Sequence, residues 1–249
     1  MSELVNLLIL GGTGEAVQLA DWLAGEPRLR VITSLAGRTS NPARPHGEIR
    51  VGGFGGVEGL KRYLADQRVD LLIDATHPFA TTISANAAAA CDALDVPRLV
   101  LARDPWPTTS GDRWIEVDDL DQAARAVSGL GRRIFLTVGR QELDAFAALR
   151  NVWFLIRLID PPVQPPPLGE CLVITGRGPF STEGECRLLT QHRIETIVAK
   201  NSGGVATYAK IAAAREMHLP IVMVRQPPPP PGEHAKTVAA AVDWVHRRI

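Results

Sequence analysis

Short apolar runs alternate with stretches of helical periodicity along the chain, and this alternation constrains the fold more than any other feature. In the first part we expect strands near 5–10, 29–34, 47–51, 69–74 and 97–101, and helices near 14–25, 56–67 and 79–93. In the second part we expect strands near 113–117, 133–138, 152–158, 171–175, 195–199 and 220–224, and helices near 119–129, 140–149, 182–191, 203–217 and 234–248. This rhythm predicts an α/β fold with parallel sheets covered by helices.

The segment ARDPWPTTSGDR, residues 102–113, interrupts the pattern with prolines, glycine and serine. Such composition is typical of a domain boundary, so we predict one α/β domain over 1–103 and a second over 104–249. The proline-rich stretches 160–169 and 226–232 are predicted to be extended loops. The sequence leaves open whether the last strand of one half pairs with the sheet of the other.

The overall charge is balanced, with 27 Lys and Arg against 27 Asp and Glu in 249 residues. A neutral chain favours neither a nucleic-acid partner nor a membrane surface. No transmembrane segment or signal peptide is visible, and the 3 cysteines are widely spaced, as is typical of a reducing compartment. We therefore expect a cytoplasmic protein, a monomer or weak oligomer, with no metal site, because His and Cys show no ligand spacing.

The stretch LLILGGTGEA, residues 7–16, is an apolar run that ends in glycines where a helix should begin. A helix N-terminus offers unpaired N–H groups and a positive dipole end, and glycines let a pyrophosphate reach the backbone. The spacing departs from the G-x-G-x-x-G pattern, so a tight turn without ligand is the alternative. The predicted cofactor contacts here are Gly11, Gly12, Thr13, Gly14 and Glu15, with Thr13 either capping the helix or binding phosphate.

The loop after the second predicted strand, TSLAGRTS at 33–40, contains no acidic residue. An acid near this point usually holds the adenosine ribose of NAD, whereas Arg suits a 2′-phosphate. Hydroxyl and guanidinium donors therefore predict NADP(H) over NAD(H), with an ordinary solvated loop as the alternative. The residues placed at the cofactor are Ser34, Gly37, Arg38 and Thr39.

Two further loops follow the third and fourth predicted strands. In VGGFGG, Gly52 and Gly53 permit a close approach and Phe54 is placed to flank a ring. In DATHPFA, Thr76 and His77 fall at the carboxyl edge of the sheet, where ligands bind in such folds. We add these five residues to the predicted cofactor site.

Three loops of the second half share a composition: TVGRQE (137–142), TGRGPFSTEGE (175–185) and AKNSGG (199–204). Each joins glycine to a cation ahead of a predicted helix, which favours an anionic ligand, although solvated cations are the alternative. Thr182 and Glu185 match a capping box. The predicted substrate-binding residues are Arg140, Arg177, Gly178, Lys200, Asn201, Ser202 and Gly203.

Taken in order, LILGGTGEA, SLAGRT, GGFGG, DATHPFA, GRGPFS with Glu185, and KNSGG resemble the precorrin-6A reductase family of cobalamin biosynthesis. The resemblance implies two Rossmann-like domains with the site between them. It also implies NADPH-dependent reduction of a macrocyclic double bond, which converts precorrin-6A, a tetrapyrrole with many carboxylates, to precorrin-6B. The chain departs from the family pattern at two points. Asn201 stands where Asp is common, and Gln226 separates Arg225 from Pro227, where the family often has Arg directly followed by Pro.

Several alternatives stay open at this point. His77 and Lys200 are the candidate catalytic proton donors, but water or substrate tautomerisation would also suffice. The substrate is either metal-free or cobalt-bearing, and a regulatory module that binds NADPH without turnover is a further alternative. A reductase of small carbonyl compounds would normally have a Tyr-x-x-x-Lys pair. This alternative is disfavoured because neither Tyr63 nor Tyr208 has Lys four residues later.

Overall fold

The structure is a computed structural model that describes residues 4–37 and 45–249. It divides into two compact units. The first unit comprises Met1–Asp104, as far as described, together with Pro227–Ile249, and the second comprises Pro105–Gln226. Within the described residues each unit contains one six-stranded sheet in which all strand pairs are parallel. The predicted α/β class is confirmed.

The first sheet has the strand order β12-β5-β4-β1-β2-β3. Its strands are β1 (Val5–Leu10), β2 (Leu29–Leu35), β3 (Glu48–Val51), β4 (Leu71–Asp74), β5 (Arg98–Leu101) and β12 (Glu233–Ala235). Its helices are α1 (Gly14–Leu23), α2 (Gly56–Asp66), α3 (Thr81–Asp92) and α7 (Val238–His246).

The second sheet has the strand order β6-β11-β10-β7-β8-β9. Its strands are β6 (Trp114–Val117), β7 (Arg133–Leu136), β8 (Trp153–Leu158), β9 (Glu170–Thr175), β10 (Thr196–Lys200) and β11 (Ile221–Val224). Its helices are α4 (Leu120–Val127), α5 (Thr182–Gln191) and α6 (Ala209–Glu216), with a 3₁₀ segment over Arg140–Phe146.

The domain prediction needs a correction at its C-terminal end. The boundary after residue 103 lies one residue from the observed one, but residues 227–249, predicted within 104–249 as part of the second domain, belong to the first unit. There β12 pairs with β5, and α7 packs on α1. This answers the question of strand exchange that the sequence left open. A strand of three residues is too short to show a period in the sequence.

Two predicted helices are also shorter or tighter than expected. The helix predicted over 140–149 is a 3₁₀ segment, and the helix predicted over 203–217 begins only at Ala209. Gly203 and Gly204 both have positive φ, of 65° and 75°, which a right-handed helix does not accommodate. Within residues 4–37 and 45–249, none of the helices has the length and apolar composition that a membrane span requires.

The core of the first unit depends on the returning segment. Trp244 on α7 is only 2% exposed and shares a core cluster with Leu19 and Leu23 of α1. Its indole Nε1 donates to the Glu233 carboxylate on β12 at 2.9 Å, so the helix and the strand are tied to each other.

We predict that Trp244→Ala lowers the free energy of unfolding by about 3–5 kcal/mol, because a large buried side chain leaves a cavity. Trp22→Ala, in the same unit but at a side chain 54% exposed, should change it by less than about 1 kcal/mol. Urea unfolding followed by circular dichroism measures both. Equal losses in the two variants would contradict a core role for α7.

Candidate functional site

The loop from Gly11 to Gly14 joins β1 to α1 at the carboxyl edge of the first sheet. Gly12 has φ of +113°, a left-handed conformation that glycine adopts without strain. A Cβ added at Gly12 or Gly14 would meet no atom within 4 Å, whereas one at Gly11 would lie 3.0 Å from Thr33 Cγ2. The loop therefore has room on the side of Gly12 and Gly14, and Gly11 serves close packing against β2.

Thr13 caps helix α1, which is one of the two roles predicted for it. Its Oγ1 accepts from the Ala16 N–H at 3.1 Å and donates to the Ala75 carbonyl at 2.7 Å. The hydroxyl thereby joins the start of α1 to the end of β4. The Glu15 carboxylate pairs with Arg103 at 3.3 Å. Both side chains are thus engaged within the first unit, and the Gly11 N–H donates to the Ser34 carbonyl at 2.9 Å. A ligand at this loop would therefore meet the backbone N–H groups that follow Gly11, at the start of α1.

The end of β2 places Ser34 and Gly37 beside β3. Ser34 is buried, and Gly37 has φ of 72° and packs so closely that an added Cβ would lie 3.0 Å from Val51 Cγ1. Arg38 and Thr39 lie outside the described residues, so their predicted contact with a 2′-phosphate stays a prediction.

A cation that the sequence analysis missed lies in the VGGFGG region. The Arg50 guanidinium donates to the carbonyls of Gly52 at 2.5 Å and Gly53 at 2.7 Å, and to Ser34 Oγ at 3.3 Å. It also stacks over the Phe54 ring at 3.8 Å from the centroid. The predicted residues of this loop therefore surround one positive charge. Arg50 lies inside a predicted strand, where the sequence gives no sign of which way it turns.

The DATHPFA segment follows β4 as predicted. Asp74 is buried, and its Oδ1 accepts from both the N–H and the hydroxyl of Thr76, at 3.1 and 2.7 Å. His77 is half-buried, and its Nδ1 accepts from the Phe79 N–H at 3.3 Å. A neutral His77 ring therefore carries its proton on Nε2.

In the second unit, Lys200 ends β10 and is held by a carboxylate. Its Nζ lies 2.7 and 2.9 Å from the two oxygens of Glu142, and the side chain is 15% exposed. The same Glu142 accepts from the Gly139 N–H at 2.6 Å. Glu142 is a site residue that the sequence analysis did not predict. Its position three residues after Gly139, at the start of a predicted helix, is typical of a side chain that accepts from the N-cap N–H, and could have indicated this contact.

Asn201, predicted as a substrate contact, has a structural role in this unit. Its Oδ1 accepts from the Trp106 N–H at 2.7 Å, and its Nδ2 donates to the Trp106 carbonyl at 3.2 Å. Trp106 in turn donates from Nε1 to the Gly204 carbonyl at 2.7 Å. Asn201, Ser202 and Gly203 are all buried. The Asn201 amide, predicted as a donor to the substrate, is engaged by Trp106, whereas the substrate contacts of Ser202 and Gly203 stay predictions.

The loops after β9 and β10 touch each other. The Phe180 N–H donates to the Ala206 carbonyl at 3.3 Å, and a Cβ added at Gly178 would lie only 2.5 Å from the same oxygen. Arg177 is exposed on this loop, and Arg140 is exposed at the start of the 3₁₀ segment. With the pair of Lys200 and Glu142, these contacts bring all three predicted basic loops to one edge of the second sheet.

The predicted capping box of Thr182 and Glu185 is wrong. Ser181 is the N-cap of α5 and accepts from the Gly184 N–H at 3.1 Å. Glu185 instead turns inward, where it is 2% exposed and pairs with Arg157 at 2.8 Å. The local pattern favoured a cap, but the guanidinium of Arg157, 28 residues earlier in the chain (185 minus 157), decides the conformation.

A buried cation, Lys210, lies near this pair. Burial lowers the pKa of Lys210 to about 8, although the nearby Glu185 carboxylate opposes part of that shift. The ammonium donates to the Thr207 carbonyl at 3.0 Å and lies 5.1 Å from the centroid of the Trp106 ring. Lys210 therefore lies behind the loop that follows Lys200.

Comparison with known proteins places this geometry in a family. The family model described as precorrin-6x reductase CbiJ/CobK matches residues 6–246. The chain belongs to this family. The resemblance drawn from the sequence motifs is confirmed, as is the expectation of a Rossmann-like reductase.

Individual members of the precorrin-6x reductase family match over nearly the whole chain. The precorrin-6A reductase of Rhodococcus erythropolis is 48% identical over 244 residues, covering 97% of this chain and 98% of that protein. A solved structure of CobK precorrin-6A reductase has 41% identity and a TM-score of 0.92, covering 98% and 97%. The cobalt-precorrin-6A reductase of Methanothermobacter thermautotrophicus is 28% identical over 240 residues, covering 90% and 78%.

We predict that the buried charge of Lys210 makes stability depend on pH. Between pH 8 and the ordinary value of 10.5, the unfolded chain holds a proton on Lys210 that the folded protein has lost. The free energy of unfolding should therefore rise over this window, by on the order of 3 kcal/mol relative to Lys210→Met. Chemical denaturation at several pH values measures the difference.

Lys236→Met is the matched control, because Lys236 is exposed and pairs with Asp104 at the surface. Its stability curve should run parallel to that of the unaltered protein. If the Lys210→Met curve is parallel too, the buried lysine does not titrate in this window.

Proposed function

We propose that this protein reduces one ring double bond of precorrin-6A to give precorrin-6B, with NADPH as the hydride source, in the biosynthesis of the corrin ring. The observation that carries the proposal is the full-length similarity to relatives named precorrin-6A reductase. The two sets of strand-end loops supply residues of suitable chemistry for a dinucleotide and for a polycarboxylate.

The first unit is the proposed nucleotide-binding part. NADPH, when bound, supplies the hydride. The open side of Gly12 and Gly14 fits a pyrophosphate, because nothing within 4 Å fills the space that side chains would occupy there. The backbone N–H groups at the start of α1 would hold its oxygens. Thr13 and Glu15 contribute through their backbone, since their side chains are engaged with Ala75 and Arg103.

The second unit is the proposed tetrapyrrole-binding part. Arg140 and Arg177 are exposed at strand-end loops and have the planar guanidinium that pairs with a carboxylate. Lys200 adds an ammonium that Glu142 holds in a fixed place. We propose that the two arginines bind substrate carboxylates and that Lys200 acts next to the reacting ring.

Reduction needs a proton as well as a hydride. Lys200 is the proposed donor because its ammonium carries protons at a position fixed by both oxygens of Glu142. His77 is the second proposed donor, with Nε2–H as its donating group. Lys200 has the stronger support, because contacts with both oxygens of Glu142 hold its ammonium in place.

The cobalt-bearing form of the substrate is a second candidate. The observation in its favour is the similarity to a cobalt-precorrin-6A reductase, but that relative is less similar than the precorrin-6A reductase of Rhodococcus erythropolis. We therefore propose the metal-free macrocycle as the substrate.

We predict that Gly14→Val weakens NADPH binding by at least about 10-fold while the protein stays folded, because the side chain enters the proposed pyrophosphate space. Gly14 is preferable to Gly12, where positive φ would add backbone strain. Gly25→Val is the matched control, as Gly25 follows the opposite end of α1 and also has open space around it. Calorimetry measures binding. Equal affinities in the two variants would contradict this location of the pyrophosphate.

The function is tested by mixing the purified protein with NADPH and precorrin-6A and following the tetrapyrrole by absorbance and mass. We expect NADPH oxidation and a gain of about two mass units, for one hydride and one proton. Lys200→Met should lower kcat by about 100-fold or more, whereas Arg140→Ala and Arg177→Ala should mainly raise KM.

Lys61→Met is a suitable control, because Lys61 pairs with Glu58 on the surface of the first unit. It should retain the kinetics of the unaltered protein. No turnover of either form of the macrocycle, with NADPH still bound, would favour the regulatory module. Unaltered kinetics in Lys200→Met would exclude Lys200 as the donor.

A further inference from the structure

The guanidinium of Arg50 is fixed in place at the carboxyl end of β3. One edge of the group, Nη1 and Nη2, donates to the carbonyls of Gly52 and Gly53. One flat face lies over Phe54, and the Tyr63 ring is 5.1 Å away. Arginine side chains usually sample many rotamers, so these contacts hold the charge in one position before any ligand arrives.

The remaining edge of Arg50 has no partner among the described residues. Three of the five guanidinium N–H groups reach Ser34, Gly52 and Gly53. The Nε–H and the second Nη2–H are left, and no carboxylate lies within ion-pair distance in the described ranges. Within residues 4–37 and 45–249, the groups that contact this positive charge are neutral carbonyls, a hydroxyl and aromatic rings.

Arg30 binds a carboxylate through the same Nε and Nη2 edge of its guanidinium. It lies at the other end of β2, and its Nε and Nη2 bind the two oxygens of Glu48 at 2.6 and 2.7 Å. Glu48 is thus committed to Arg30, and Arg50, two residues later on the same strand, has the same donor pair still available. A planar pair of N–H groups matches a phosphate as well as a carboxylate.

Arg50 also lies where a dinucleotide would present its adenosine ribose. Its Nη1 donates to Ser34 at the end of β2, and the chain turns at Gly37 against Val51 before it reaches Arg38. In a parallel dinucleotide-binding sheet, the end of the second strand is the part that reads the ribose 2′ position.

We propose that Arg50 recognises the 2′-phosphate of NADPH through its Nε and Nη2 edge, and so determines the choice of NADPH over NADH. This inference rests on the proposed nucleotide-binding role of the first unit. It adds a cation from β3 to the Arg38 that the sequence predicted from the loop after β2. The aromatic contact with Phe54 and the two carbonyl contacts orient the guanidinium for this role.

The test compares Arg50→Met with Arg50→Lys in calorimetric titrations of NADPH and NADH. Arg50→Met should raise the Kd for NADPH about 10- to 100-fold and the Kd for NADH less than about 3-fold, because only NADPH carries the 2′-phosphate. Arg50→Lys keeps the charge but loses the paired donors, so it should lie between Arg50→Met and the unaltered protein. Arg30→Met is the matched control and should leave the NADPH/NADH ratio unchanged.

The small probes adenosine 2′,5′-bisphosphate and adenosine 5′-monophosphate isolate the phosphate from the nicotinamide. The unaltered protein should prefer the bisphosphate, and Arg50→Met should lose most of that preference. Equal losses for NADPH and NADH would overturn the proposal and make Arg50 a clamp of the Gly52 turn or a platform for adenine. An unchanged ratio in a folded Arg50→Met or Arg50→Lys variant would overturn it as well.

The binding data distinguish an error in the proposed nucleotide-binding role of the first unit from an error in the assignment to Arg50. If the unaltered protein binds neither nucleotide, the proposed function of the first unit is wrong and the Arg50 proposal falls with it. If the unaltered protein binds NADPH and prefers it to NADH, but the Arg50 variants keep that preference, only the assignment to Arg50 is wrong.

Discussion

Parallel strand pairing is the constraint on which the rest of this structure depends. When every neighbour in a sheet runs in the same direction, all carboxyl ends lie at one edge, and each connection must cross back over the sheet. Residues far apart in sequence then become neighbours at that edge. Thr13 reaches the carbonyl of Ala75 in the first unit, and Lys200 reaches Glu142 in the second. Each candidate site is assembled by this geometry and not by any one motif.

Within the second unit, carboxylates decide what the cations do. Glu142 fixes Lys200, and the buried Glu185 pairs with the guanidinium of Arg157. A buried charge without a partner is costly, so these acids allow cations to lie close behind the strand ends. Arg140 and Arg177 lie further out, on exposed loop positions. The edge thus combines inner charges that carboxylates orient with arginines at exposed positions.

Much of the fold and part of the site were predictable because their signals are local. Apolar runs identified the strands, and the glycines after β1 identified a loop with open space at Gly14. The sequence could not show that Ser181 rather than Thr182 caps α5, because the competing partner of Glu185 is a distant arginine. It also could not show that Asn201 binds the backbone of Trp106, or that Arg50 turns toward Ser34. These contacts exist only after distant segments have packed.

The return of residues 227–249 to the first sheet has a consequence for synthesis on the ribosome. The second unit is continuous in sequence, so all of its residues have been made once Gln226 is added. The first unit starts earlier but must wait for β12 and α7. Until they emerge, the backbone edge of β5 and the apolar face of α1 that receives Trp244 stay uncovered, a state prone to aggregation. The part of the chain made first is therefore the last to be completed.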